Sequence, residues 1–364
     1  MSIPATNLLR LLSASAALLL LAAALNFAVD PLQLFRPSRL LQPMYSDDVR
    51  RQNAGLIQSQ DFDTVFMGTS LAIHYRQTDI DRALGGRSVK LTMQGSSSHE
   101  QAFVLEETVT QRHPKRVVWE MDDFIFCDAP EIDADIYLPS GLYRRDARGI
   151  AGYLFSGAMA RESAWMLLRA VPHLQPAVDR LAKFSISDVD DINALARDTD
   201  VAALYNAKNA FASFVRITDP ARAAWLGEGY GTESEVRNFE RDAAALIARH
   251  PEVQFDIYFP PYSILQWVAM RDASPATLKI VYDLTEHVAR RLTQFPNVRL
   301  FDFRAIKEIT HDLGNYSDVI HHSPDIDLKV LSMLAAGEYL VDRAAPTAPL
   351  DRLKAQVEAY KVER

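Results

Sequence analysis

One cysteine, Cys127, is all that a chain of 364 residues contains. An intramolecular disulfide is therefore excluded, as is a thiolate zinc cage, which needs several Cys or His ligands at short spacing. Basic residues are also in deficit, with 39 Lys and Arg against 47 Asp and Glu for a formal charge of −8. A nucleic-acid binder needs a net basic surface to release counterions from the phosphate backbone, so that class is set aside. No Walker loop and no strand-linked GxGxxG is present, and His99 and Glu100 are adjacent rather than at the i, i+4 spacing of a helical metal pair. Neither a nucleotide nor a metal cofactor is implied. Charged residues at 24% and hydrophobic ones at 48% exclude a disordered or collagen-like chain, and the length allows one large domain or two smaller ones.

Long apolar runs are scarce too, with one exception. Leu11 to Val29 is 19 residues without a charge, preceded by a segment whose only charged side chain is Arg10. At about 1.5 Å per residue, a helix of that length just crosses a hydrocarbon core of roughly 30 Å. A cleavable signal peptide is the alternative, since Ala22 and Ala24 have spacing a signal peptidase uses. A buried helix of a soluble protein would need cover on every side. The anchor is the favoured reading: one span through the bilayer, with Asn26 and Asp30 marking the exit from lipid. The weak bias from Arg10 places the N-terminus in the cytoplasm and the body outside. Residues 30–60 hold three prolines and no clean period, and read as a stem whose Leu and Phe content packs it on the body.

From Asp61 onward, apolar runs of strand length alternate with amphipathic stretches of helix length. The expected strands are Thr64–Gly68, Val89–Gln94, Arg116–Met121, Val253–Phe259 and Val298–Phe303, short and β-branched or aromatic as strands buried on both faces are. The expected helices are Asp79–Leu84, Glu100–Arg112, Glu233–Arg249 and Pro275–Gln294. This order implies an α/β domain over residues 61–345, with a parallel sheet covered on both faces. Ligands of such sheets bind beyond the carboxyl ends of the strands. Residues of about 128–231 break the rhythm with helical segments such as Gly149–Val171 and Val201–Ile217, and read as an insertion that either caps the site or only thickens the structure. Residues 346–364 read as a helical tail.

Chemistry-bearing residues gather at the predicted carboxyl edge. Strand one ends in Gly68-Thr69-Ser70, where a serine is either a nucleophile or a helix cap. Strand two runs into Gly95-Ser96-Ser97-Ser98, whose Gly95 amide is either an oxyanion donor or part of an ordinary helix start. After strand five, Asp318 and His321 share one loop, and an Asp three residues before a His can orient the imidazole by one ring nitrogen while the other faces a nucleophile. Asp122, past strand three, holds a substrate hydroxyl or caps a turn. His74 and Tyr75 line an acceptor site, or His74 is a structural hydrogen-bonder. Tyr262 and Trp267 stack on a sugar face or pack under a proline-fixed turn.

Taken together, the strand FMGTS, the turn MQGSSSHE, the segment FPPYS and NYSDVIHHSP before a terminal helix resemble the SGNH (GDSL-like) hydrolases. With the apolar helix followed by NFAVDPLQLF, they resemble the membrane-anchored SGNH-like proteins that accompany membrane-bound O-acyltransferases. Those include periplasmic alginate O-acetylation proteins and, more distantly, D-alanyl transfer proteins of teichoic acid synthesis. The resemblance implies a flavodoxin-like three-layer fold with a five-stranded parallel sheet, an inner-membrane anchor and a periplasmic body. It implies Ser70 as nucleophile, His321 as general base in preference to His322, Asp318 as its orienting carboxylate, and Gly95 with the Ser70 amide as oxyanion donors. The implied partner is a membrane-bound O-acyltransferase, and the implied reaction moves an acyl group, acetyl by analogy, onto a glycan. An esterase using the same triad with water, or a non-catalytic scaffold on the same fold, are the rival readings. Three features depart from the pattern: Thr69 stands where GDS has Asp, the Gly that commonly follows a few residues later is absent from LAIHYR, and Asp122 and Asp123 stand where an oxyanion Asn follows the third strand.

Overall fold

The computed structural model describes residues 5–46, 48–127, 138–181, 188–191, 201–219 and 230–362. The chain forms two compact units, one from Met1–Asp61 with Asp133–Ile192 and one from Phe62–Ile132 with Asn193–Arg364. The segment read as one insertion is thus divided between the units near residue 192. The residues expected to begin it, 128–137, lie outside the described residues.

The first unit is helical. An apolar helix, Ala5–Val29, is long and apolar enough over Thr6–Val29 to cross a membrane, by length and composition. Asn26 and Asp30, expected at a polar exit, are instead buried. The Asn26 amide donates to the carbonyls of Leu154 and Ser156 at 2.9 and 3.1 Å, and its oxygen accepts from Ser163 at 3.0 Å. Asp30 accepts from the amides of Leu34, Phe35 and Arg36 and from the Tyr153 hydroxyl at 2.8 Å. A buried carboxylate is tolerated only with such a set of donors. The predicted stem contains a helix, Val49–Ser59, capped by Asp48. Its Gly55 lies against Leu32, where an added Cβ would fall 1.6 Å from the Leu32 carbonyl oxygen. The expected helix Gly149–Val171 is two, Ala147–Leu154 and Gly157–Arg169, because the Ser156 hydroxyl accepts from the Met159 amide and starts a new helix.

The second unit is α/β. Its five strands are all parallel in the order β2-β1-β3-β4-β5, with β1 Thr64–Met67, β2 Ser88–Lys90, β3 Arg116–Glu120, β4 Gln254–Phe259 and β5 Val298–Asp302. Alternate strand residues face opposite ways. Phe66, Val118, Tyr258 and Phe301 join one buried cluster with Ile80 and with Ile326 and Val330 of the Pro324–Ala336 helix. Trp119 points to the other face, where its indole donates to Gln101 of the Ser98–Arg112 helix at 2.7 Å. Helices therefore cover both faces, as parallel sheets require. The strand expected over Val89–Gln94 is regular only to Lys90, yet the Leu91 and Met93 amides carry the pairing on to the Phe66 and Gly68 carbonyls at 2.8 and 3.0 Å. The expected Glu233–Arg249 helix carries a π-helical turn at Glu240–Ala244. Ile264–Ala273, read only as the neighbourhood of a turn, is a buried helix.

Candidate active site

The order β2-β1-β3 puts the turns after β1, β2 and β3 side by side at the carboxyl edge. Gly68 closes β1 where no side chain fits: a Cβ there would meet Ala72 Cβ at 2.6 Å and Glu120 Oε1 at 3.0 Å. Thr69 then opens a short 3-10 turn, Ser70–Ala72, which lifts half-buried Ser70 off the strand axis. Beneath this turn, the ammonium of buried Lys90 donates to the carbonyls of Ile73 and Tyr75 at 2.9 and 2.8 Å, pinning the segment to β2. Gly95, at φ +60°, follows the Met93 that bonds to Gly68, so the two turns leave adjacent strands together. Ser97 and Glu100 form a capping box that starts the next helix.

The loop after β5 brings the imidazole. An antiparallel bridge between Tyr316 and His322 closes it, and the Tyr316 hydroxyl donates to the Pro261 carbonyl at 2.6 Å, fixing the loop to the end of β4. Within it, Asp318 accepts from the amides of Ile320 and His321, both at 2.8 Å, and from His321 Nδ1 at 2.7 Å. The other ring nitrogen, Nε2, lies 3.0 Å from Ser70 Oγ across 251 residues of sequence. Burial lowers His321, but its hydrogen bond to Asp318 and the charges of Asp318 and Asp122 outweigh that and leave it raised above the usual histidine value. Burial raises Asp318, and its hydrogen bonds and His321 outweigh that and hold it below the usual carboxylate value. His322, the rival base, is buried with Nδ1 3.1 Å from Asp327.

Asp122, expected to hold a substrate hydroxyl or cap a turn, spends its carboxylate on bonds inside the fold. Only 1% exposed, it accepts from Thr69 Oγ1 and from the Tyr262 hydroxyl at 2.6 Å, and makes no capping bond to the turn that follows. Two of the departures from the expected pattern therefore touch: a hydroxyl donor at 69 answers a carboxylate at 122. Burial pushes Asp122 up to about 6 despite the two donors. Next to it, Glu120 is fully buried and accepts from Tyr258 at 2.9 Å; desolvation and then the Asp122 charge drive it well above the carboxylate range.

Tyr262 and Trp267 are 2% and 0% exposed and pack on each other with ring centres 5.7 Å apart, so neither offers a face to a sugar. Tyr75 is buried against Phe66 and Tyr258, and it lines the same cavity as its neighbour His74. His74 is half-buried, 3.0 Å from the Tyr205 hydroxyl, on the wall of a cavity of about 200 Å³. Burial first, then the charges of His322, Lys90 and His321, lower it to about 4 and keep it neutral. A second cavity of about 220 Å³ has Asp318, Asp123, Arg216 and Gln266 on its wall. Lys90, Glu120 and Tyr205 were not singled out from the sequence. The signal for the first two was a charge inside an apolar strand; Tyr205 gave none. Among the described residues, no group of three His, Cys, Asp or Glu side chains is arranged to hold a metal ion.

Because the Asp122 charge helps hold the proton on His321, removing it has a defined sign. A base works when neutral, so a reaction needing His321 falls as pH drops through its pKa. Asp122→Asn is expected to lower that pKa and move the acid limb of the pH profile of Ser70 labelling to lower pH. An unmoved limb would detach Asp122 from the base.

No protein-family model matches the chain, and a search of curated proteins returns no match.

Proposed function

We propose that the sheet unit is an SGNH-type serine acyltransferase on a flavodoxin-like fold, held by its apolar helix in an inner membrane with its body in the periplasm. The relay Asp318–His321–Ser70, at 2.7 and 3.0 Å, is the observation that supports it most directly. In this reading Ser70 Oγ attacks an acyl carbonyl while its proton passes to His321 Nε2, and Asp318 steadies the imidazolium. The oxyanion is met by the backbone amides of Ser70 and Gly95. Collapse expels the donor's leaving group, which takes the proton from His321 and leaves an acyl-Ser70 ester. A glycan hydroxyl, deprotonated by His321, then attacks that ester and regenerates Ser70. The donor is delivered by a membrane-bound O-acyltransferase, and acetyl is the acyl group on the strength of the resemblance. An Asp at 122 supplies no oxyanion donor when ionised, which suits a donor already positioned by its partner.

The esterase reading keeps one observation of its own: the side chains of His321 and Asp318 are 33% and 31% exposed, so water reaches the base. The full-length chain in detergent, treated with a serine-reactive fluorophosphonate and digested, tests both readings. Label on the Ser70 peptide is expected, and an unlabelled Ser70 would overturn the activated serine. Adding sugar acceptors to an acetyl ester assay then separates transfer, which yields acetylated sugar, from hydrolysis, which does not.

A further inference from the structure

The helical unit has an open cleft of about 470 Å³ whose wall includes Leu32, Arg51, Arg144, Arg148, Tyr153 and Ser156. Asp146 also lines it, but its carboxylate accepts from the Gly149 amide at 2.7 Å. Arg51 faces Asp48 at 3.3 Å in an exposed pair, which water screens. The wall thus carries three guanidiniums, and guanidinium is the side chain best matched to the oxygens of a phosphate.

The depth of this cleft follows from the apolar helix. Its side chains from Thr6 to Leu21 are exposed, and burial within the unit begins at Ala22. On the proposed anchor reading Arg10 marks the cytoplasmic end, and about 20 residues from Leu11 cross a hydrocarbon core of about 30 Å at 1.5 Å each. The far boundary then falls near Asp30, and Asn26 lies about one helical turn inside it. Asn26 is bonded to the Leu154 and Ser156 carbonyls, and Tyr153 and Ser156 line the cleft. The surrounding side chains suit that depth. Phe27 and Phe155 are 51% and 47% exposed, Leu167 and Leu168 are exposed on the Gly157–Arg169 helix, and half-buried Trp165 packs on the same buried cluster as Leu25. Aromatic side chains of this kind collect at the membrane–water interface.

We infer that this cleft binds the phosphate-bearing headgroup of an anionic membrane lipid. Pro139, Gly149 and Gly152, which are half-buried or exposed on the wall, face the glycerol end, and Arg51 and Arg148 take the phosphate. Free phosphate shares the chemistry but gains nothing from the apolar wall or from the depth.

The test uses the full-length chain in a neutral detergent, titrated with dihexanoyl phosphatidylglycerol, dihexanoyl phosphatidylcholine and inorganic phosphate, with binding read by calorimetry. Phosphatidylglycerol is expected to bind saturably and more tightly than either of the others. Arg148→Glu and Arg51→Glu are each expected to weaken it about tenfold or more, the scale of one charge-assisted hydrogen bond. Arg148→Lys, which keeps the charge, is expected to recover part of the loss and separates lost binding from misfolding. Equal binding of the two lipids, or inorganic phosphate binding as tightly as phosphatidylglycerol, would overturn the lipid assignment. Unchanged binding in both Glu variants would overturn the cleft.

Discussion

Asp318→Asn is expected to slow turnover of a simple acetyl ester by about 10⁴-fold, and Ser70→Ala by about 10⁶-fold, with the fold intact in both. The carboxylate accepts from His321 Nδ1 at 2.7 Å while Nε2 faces Ser70 Oγ at 3.0 Å. An amide in its place can turn its NH₂ toward Nδ1. That imposes the tautomer with the proton on Nε2, where it can no longer take one from the serine. The same carboxylate also accepts two backbone amides of its own loop, which an Asn oxygen can still do, so the loss falls on chemistry rather than on stability. Full turnover in the Asp318→Asn chain would mean that His321 is not the base. A Ser70→Ala chain that still turned over the ester would move the nucleophile elsewhere.

Gly68→Ala is the second large effect. A Cβ at this position meets the Ala72 Cβ at 2.6 Å and two atoms of buried Glu120 at 3.0 and 3.1 Å. Ala72 is backbone-fixed in the serine turn and Glu120 is held by Tyr258, so neither yields without moving Ser70. Overpacking of this kind costs about 1–3 kcal/mol of stability, and a displacement of about 1 Å at a nucleophile costs roughly 100-fold in rate. Thermal denaturation and ester turnover on the same preparation would show both. Wild-type values for the two together would mean that the turn relaxes freely.

The β1–β5 strands were legible because strands buried on both faces are short continuous apolar runs, and this chain punctuates them with Gly, Pro and charge. The triad candidates were legible for a related reason: Ser70 follows β1 at the edge where a parallel sheet places its ligands, and Asp318 and His321 stand three residues apart on one loop beyond β5. What Asp122 does was not, since its role depends on Thr69 and Tyr262 arriving from two other strand ends, and no local pattern records that meeting. The helix at Val49–Ser59 was missed because Asn53 and Gly55 weaken its pattern. Gly55 is there for the backbone of Leu32, a contact between segments more than 20 residues apart. The burial of Asn26 and Asp30 was missed for the converse reason. A polar residue at the end of an apolar run reads as an exit to water, and only the folded chain supplies the donors and acceptors that let it stay inside.

Lys90 has a further consequence for an acyl-serine intermediate. An activated ester is aminolysed by any neutral amine that reaches it, so a lysine beneath the serine turn is a hazard of self-modification. Here the amine donates to the carbonyls of Ile73 and Tyr75 and is 3% exposed. An ammonium committed to two acceptors has no lone pair to offer. In the proposed acyl-transfer reaction, the contact that fixes the turn would also protect the acyl group from capture by the protein's own side chain.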